Sequence, residues 1–171
     1  MNKTIEVIKT RVSCRSFSEK KVSKAKLEQI IEAGKFAPSG MNRQSAHVLV
    51  IKSKSVIEKI VEALKEKNNR ECLYGARTLC LVYGDKEEPF LVQDCSCVLE
   101  NMFVAANALH IDSCWINQMN DLLSDPAYKK LAKRLGIDES KRVVGSVALG
   151  YRKEGTNIPV KARKEDFARY I

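Results

Sequence analysis

What this chain lacks narrows its chemistry first. Its two histidines, His47 and His110, have no ligand partner at helical spacing, so no metal centre is expected. There is no G-x-G-x-x-G, which removes the dinucleotide fingerprint of a Rossmann domain. Gly145 and Gly150 stand at P-loop spacing, but Tyr151-Arg152 follow where Lys-Ser/Thr is required, and the segment reads as a strand. No G-x-S-x-G supplies a hydrolase nucleophile. Cys95-Ser96-Cys97 lacks the C-x-x-C spacing of redox pairs and zinc sites, and reads as two thiols on a buried helix. No apolar run approaches the roughly 18 residues of a membrane span. Residues 1–17 lack the continuous apolar core of a secretory signal. A cytoplasmic protein with no membrane partner is expected. The 11 aromatics (one Trp, five Tyr, five Phe) are not interleaved with Lys and Arg, so a nucleic-acid-binding module is not expected.

What is present is globular. The chain has 171 residues, 44% hydrophobic and 30% charged, which fits one domain over 1–171 with a sizeable core. Six cysteines are many for such a chain, but Cys72, Cys80, Cys95 and Cys114 lie in or beside apolar runs, where a free thiol behaves as a small hydrophobe. That placement argues for a reducing compartment and against a disulfide scaffold. The excess of 30 Lys and Arg over 21 Asp and Glu gives +9. Spread along helices, these cations read mainly as a solvated surface, and the surplus allows an anionic partner.

Helices and strands alternate. Ile5 and Ile8 predict a short helix ending near Arg11. Ser23 is placed to cap a second, with Leu27, Ile30 and Ile31 on one face and Gly34 as its stop. His47–Ile51 predicts a strand. Ser55 and Glu58 form a capping box for a helix through Ile57, Ile60, Val61 and Leu64. Thr78–Tyr83 predicts a buried strand. The longest helix, from Leu91 to Leu109, is apolar over most of its girth, so it is either central to the core or part of a subunit interface. Ser113–Ile116 predicts a short strand. Asp125-Pro126 opens a further helix closed by Gly136, and Val143–Leu149 predicts the last strand. The class is α/β or α+β around a sheet.

Three clusters carry the chemistry. Arg11-Val12-Ser13-Cys14-Arg15 and Lys161-Ala162-Arg163 place four cations where a phosphate dianion could be held, Arg bidentately and Lys as a point charge. Pro38-Ser39-Gly40-Met41-Asn42-Arg43-Gln44 adds neutral donors and acceptors suited to a flat heteroaromatic ring. Taken singly, each has a plainer reading: Arg11 and Arg15 as helix-end cations, Asn42 as a turn residue, Lys161 and Arg163 as a basic tail, Trp115 as core.

Together, and in this order, the clusters resemble the nitroreductase family of FMN-dependent oxidoreductases. Arg11-x-Ser13-x-Arg15-x-Phe17 is similar to its N-terminal phosphate and ring segment. Ala37-Pro38-Ser39-Gly40-Met41-Asn42-Arg43-Gln44 is similar to its A-P-S-x-x-N-x-Q segment. Leu109–Ile116 is similar to the strand entry beneath the flavin, Ala148-Leu149-Gly150-Tyr151 to its last core strand, and Lys161-x-Arg163 to its C-terminal clamp.

The resemblance implies an α+β fold with a central mixed sheet flanked by helices, and a homodimer with FMN at the interface. It implies ping-pong hydride transfer from NADH or NADPH, through the flavin, to a nitroaromatic, quinone or other conjugated acceptor. Arg11, Lys161 and Arg163 would hold the phosphate, and Arg15 the phosphate or the ring's pyrimidine edge. Ser13, Ser39, Asn42 and Gln44 would meet ribityl hydroxyls and ring carbonyls, with Val12, Pro38, Gly40 and Trp115 lining the site. Backbone amides near Ile116, Asn117 and Gln118 would approach the redox-active ring nitrogen. No side chain is expected to act as acid or base, because the reactive atom is the cofactor's. The chain departs from the pattern at Ser45-Ala46-His47, where Pro and an aromatic are common. It departs again at His110, where Gly is usual, and in its shortness, since 68–77 and 85–90 leave little room for a substrate-covering insertion. These changes leave a non-nitroreductase role open: dehalogenation, flavin fragmentation or flavin sensing.

Overall fold

The computed structural model describes residues 2–171. In chain order the elements are α1 (Lys3–Thr10), α2 (Lys24–Lys35), β1 (His47–Ile51), α3 (Lys54–Asn68), β2 (Thr78–Asp85), α4 (Leu91–Ala108), β3 (Asp112–Trp115), α5 (Gln118–Ser124), α6 (Lys129–Arg134) and β4 (Lys141–Gly150). Two 3-10 turns, Gly40–Asn42 and Pro126–Tyr128, join them.

The sheet has the order β1-β2-β4-β3, and every pairing in it is antiparallel. The expected α+β class holds, but "mixed" shrinks to one isolated parallel bridge between Ser13 and Ser113. The reason lies in the crossovers. Helix α3 joins the adjacent antiparallel strands β1 and β2, while α4 carries the chain from β2 to β3, which run the same way but flank β4, antiparallel to both.

Alternation along β2 builds two core faces. Leu79 and Leu81 pack with α3 and α5 residues, among them Ile57, Ile60, Leu64, Met119 and Leu122. Cys80 and Val82 point the other way, toward α2 and α4 residues Ile30, Leu99, Met102 and Ala106. The sheet is thus covered on both faces, which is why β2 and β4 read as continuous apolar runs.

Several local expectations hold. Ser23 Oγ accepts from the Lys26 amide at 3.4 Å, capping α2. His110 takes φ +54° where glycine is usual, and the Ile111 amide closes on the Ala106 carbonyl at 2.8 Å, the bonding of a Schellman terminus. Others change. Gly34 does not stop α2, which continues to Lys35. Its missing side chain instead lets α2 approach α4, since a Cβ there would lie 3.1 Å from Met102 Cγ. The Ser55–Glu58 capping box does not form: α3 starts at Lys54, before Ser55. The helix expected after Asp125-Pro126 is split into a 3-10 turn and α6, with Gly136 (φ +73°) beyond its end. Helix α5 has no counterpart in the expected element list, being short and opening on the polar Gln118-Met119-Asn120-Asp121.

All six cysteines are free thiols, and five of them are buried. Burial pushes the Cys80 and Cys95 thiols up to about 12. Near pH 8 only about one in ten thousand such groups is a reactive thiolate. Iodoacetamide should therefore modify the half-buried Cys97 well before Cys80 or Cys95 in the native protein. Tryptic mass spectrometry with early label on Cys80 or Cys95 would contradict this packing.

Candidate functional site

The first cluster runs from the end of α1 along β3. Ser13 bridges Ser113, and the Cys14 amide donates to the Ser113 carbonyl at 2.9 Å. This brings Arg11 and Arg15 near the buried Cys114. Burial raises that thiol, and the positive charges of Arg15 and Arg11 act in the opposite sense. The Arg11 guanidinium lies 5.8 Å from the Phe103 ring centre, and Phe103 in turn stacks on Trp115 with centroids 6.0 Å apart. Among the described residues neither Arg11 nor Arg15 forms an ion pair, whereas Arg43, Arg77 and Arg152 all do.

Trp115 is not a core residue. It is 38% exposed, its ring lying over Gly145, where a Cβ would come within 2.5 Å of the indole. Beyond it the chain is pinned by Ser146. The Ile116 amide donates to the Ser146 carbonyl at 2.9 Å, and Ser146 Oγ donates to the Ile116 carbonyl at 2.8 Å. The Ile116 amide is therefore already engaged, so of the three amides expected near a ring nitrogen only those of Asn117 and Gln118 remain. Among the described residues neither donates a hydrogen bond outside α5.

The middle cluster is a strained loop. Met41, Asn42 and Gln44 take φ of 52°, 54° and 50°, a region where non-glycine residues each cost roughly 1–3 kcal/mol. The loop is held by its own side chains: Ser39 Oγ accepts from the Gln44 amide at 3.0 Å, and Gln44 Nε2 donates to Asn42 Oδ1 at 3.1 Å. Arg43 is tied to Glu88 by a bidentate pair and so is committed away from any ligand. The strongest anchor is Asp94 on α4, only 3% exposed. Its two oxygens accept from the Gly40 amide and the Ser45 hydroxyl, both at 2.8 Å. Glycine is needed at 40, since a Cβ there would fall 2.3 Å from the Phe90 ring. Pro38 stays exposed at the mouth of a cavity of about 250 Å³ that Ser39 and Gln44 also line.

Sequence reasoning did not find Asp94, because its partners lie 54 and 49 positions away and no local pattern marks it. It also passed over Arg152, whose guanidinium grips Asp112 at the start of β3 while its amide donates to the same carboxylate at 2.9 Å. That clasp fixes where the C-terminal tail leaves the sheet.

The third cluster is on that tail. Lys161 and Arg163 are exposed, and the Arg163 guanidinium donates to the Lys161 carbonyl at 3.0 Å. Among the described residues no hydrogen bond or ion pair joins 11–15, 38–44 and 161–163 to one another. The first two meet the same helix at different levels. Asp94 and Phe103 are nine residues apart on α4, roughly 13 Å along its axis.

The model of the family described as "Nitroreductase family" matches residues 8–72 and 65–151. The chain belongs to the nitroreductase family. It is 31% identical over 156 residues to an Archaeoglobus fulgidus protein that carries the provisional name NADH dehydrogenase/NAD(P)H nitroreductase, covering 90% of this chain and 88% of the relative. A nitroreductase with bound FMN from Bacteroides fragilis superposes with a TM-score of 0.92 at 33% identity, covering both chains completely. Another, from Desulfitobacterium hafniense and also with bound FMN, gives 0.89 at 30% identity over 100% of this chain and 99% of that one.

The loop analysis makes one prediction. Asp94→Ala leaves the Gly40 amide and Ser45 hydroxyl without their acceptor, and should destabilise the fold by roughly 1–3 kcal/mol per orphaned group in urea unfolding. Asp94→Asn keeps an acceptor for Gly40 and should lose clearly less. Equal losses in the two variants would show that the carboxylate does not hold this loop.

Proposed function

We propose that this nitroreductase-family chain is an FMN-dependent NAD(P)H oxidoreductase, a single domain over 1–171 that works as a homodimer. One observation carries the reading: Arg11 and Arg15, with no carboxylate partner among the described residues, lie near Cys114 on β3, the strand that leads into the unengaged amides of Asn117 and Gln118. Two uncompensated guanidiniums suit a phosphate dianion, and free amides beside an exposed aromatic suit the edge of a flat ring. The bound FMN of the Bacteroides and Desulfitobacterium structures supports the same cofactor here. The name of the Archaeoglobus relative supports NADH or NADPH as donor.

When bound, the flavin would supply the hydride relay between nicotinamide and acceptor. The chain's own residues would do the rest. Arg11, Lys161 and Arg163 would neutralise the phosphate, Arg15 would face the phosphate or the pyrimidine edge, and Ser13 would meet a ribityl hydroxyl. The strained loop would present Ser39, Asn42 and Gln44 at fixed positions, at no ordering cost on binding. Val12, Pro38, Gly40, Trp115 and Ile116 would shape the walls. Nothing between Asn68 and Thr78 or between Asp85 and Leu91 is long enough to roof the ring, which favours a flat conjugated acceptor such as a nitroaromatic or quinone.

The second copy enters because one chain does not join the three clusters. Ile5 and Ile8 on α1, Phe36, Met41 and Trp115 are large apolar groups left in water beside the site segments. So are Val160, Phe167, Tyr170 and Ile171 on the tail. Burying them against a twofold mate would bring the 38–44 loop of one copy toward the 11–15 segment of the other.

The test is spectroscopic. The protein should bind FMN, and its visible bands should bleach when NADH or NADPH is added without oxygen and return with a quinone. Arg11→Ala and Lys161→Ala should each weaken FMN binding about tenfold or more at unchanged fold, the loss of a charge-assisted contact. A colourless protein that takes up no flavin would end this reading, and unchanged affinity in both variants would remove the phosphate clamp.

A further inference from the structure

A second concavity lies at the far end of α5. It is a groove of about 780 Å³ walled by α5, the Pro126–Tyr128 turn, α6 and the start of β4. That volume is within the range of pockets that hold a drug-sized molecule. Its floor is apolar: Ala132, Ile137 and Val143 are the buried edge of the core, and the half-buried Leu123 extends it outward.

The rim decides the ligand. Three carboxylates line the groove, and all are already engaged. Asp125 binds Lys67 and accepts from the Ala127 amide, Glu139 pairs with Lys129, and Asp138 accepts from the Ser140 amide and hydroxyl at 2.8 and 2.6 Å. Lys141 on the same rim is bound to Asp85. Among the described residues Lys86, Lys133 and Arg142 form no ion pair, and each is exposed. Asp138 has only neutral donors, so its negative charge offsets one of these three cations, and the excess around the apolar floor is cationic, on the order of two units.

We propose that the groove is a second ligand site, taking a small organic anion with an apolar body: a medium-chain or aromatic carboxylate or sulfonate. The apolar part lies on Leu123, Ala132, Ile137 and Val143, and the acid group meets Lys133 and Arg142, with Lys86 alongside. A free anion suits this rim better than a neutral molecule, because only an anion offsets its cationic excess. The floor suits it better than an inorganic ion, which would leave the apolar surface wet. The site is separate from the flavin segments. It shares α5 with them, but touches Asn120, Leu123 and Ser124, while Gln118 at the other end serves the flavin side.

The test uses 8-anilino-1-naphthalenesulfonate, an apolar anionic dye that brightens in apolar surroundings, with the protein as purified and again after FMN loading. One saturable dye site per chain is expected in both forms, displaced by octanoate and far less by octanol. Lys133→Gln with Arg142→Gln should raise the dye's dissociation constant at least tenfold, while Lys24→Gln with Lys35→Gln on α2 should leave it unchanged. All four are exposed surface changes. Absence of saturable binding, or equal loss in the two double variants, would overturn the proposal. So would release of flavin into the filtrate as dye binds, which would place the dye on the flavin segments. Displacement by polyglutamate but not by octanoate would replace the small anion with an acidic protein surface. Because the dye is read without flavin as well, this site and the flavin reading fail independently.

Discussion

Helix α4 has apolar side chains around most of its girth, and such a helix is stable only if neighbours cover it from several directions. Each fully buried Leu, Met or Phe contributes roughly 1.5–3 kcal/mol. Leu91, Leu99, Met102 and Phe103 together therefore outweigh any single polar contact in the chain. The neighbours are α2 through the Gly34 contact, β2 and β4 through their inner face, and α1 across the last turns. The few polar groups on α4 then act as fasteners to the elements that cover it. Asn101 donates to the Ala33 carbonyl at the end of α2, and Asn107 donates to the Val7 carbonyl in α1. Asp94 takes the loop that follows α2. Every segment proposed to touch the flavin, the tail excepted, is attached to this helix directly or through β3.

That arrangement explains how three left-handed residues persist within four positions. Unsupported, Met41, Asn42 and Gln44 would relax, since Met in particular gains nothing local from that conformation. The Arg43–Glu88 pair is partly exposed and screened by water, so it is a weak restraint. The Asp94 carboxylate is buried, and a hydrogen bond to a buried charge contributes roughly 1.5–3 kcal/mol. Two such bonds are comparable to the strain, so the carboxylate is the group that decides whether the loop keeps its shape. A loop held this way is already ordered before a ligand arrives, which is what a cofactor cradle requires.

The sequence made the elements legible where side-chain period and burial coincide. The strand of β2, apolar on both faces, and the long girth of α4 follow from composition alone, and Ser23 announced its helix as a cap. The failures share a cause. Gly34 looks like a terminator locally, but its use is set by Met102 sixty-eight residues on. Trp115 looks like core, but its exposure is set by Gly145 and Phe103, which leave the indole a shelf rather than a hole. Helix α5 is too short for a period to declare itself. Asp94 is an ordinary acidic residue in a first turn until the loop it anchors is folded against it. Residue type was readable at each of these positions; partnership across the fold was not.

The same limit bears on the site. Arg11 and Arg15 were readable by type as cations for a phosphate or, for Arg15, a ring edge, and among the described residues neither pairs with a carboxylate. The loop 38–44 was recognisable too, yet it meets α4 roughly 13 Å from Phe103 along the axis, and the tail carrying Lys161 and Arg163 leaves the sheet beyond the Arg152–Asp112 clasp. A rigid helix cannot shorten to bring these levels together, and the loop is fastened to it. The geometry within one chain is therefore fixed, and the proposed twofold mate, with the apolar groups of α1, Phe36, Met41 and the tail to bury, is the partner whose surface already carries the missing residues.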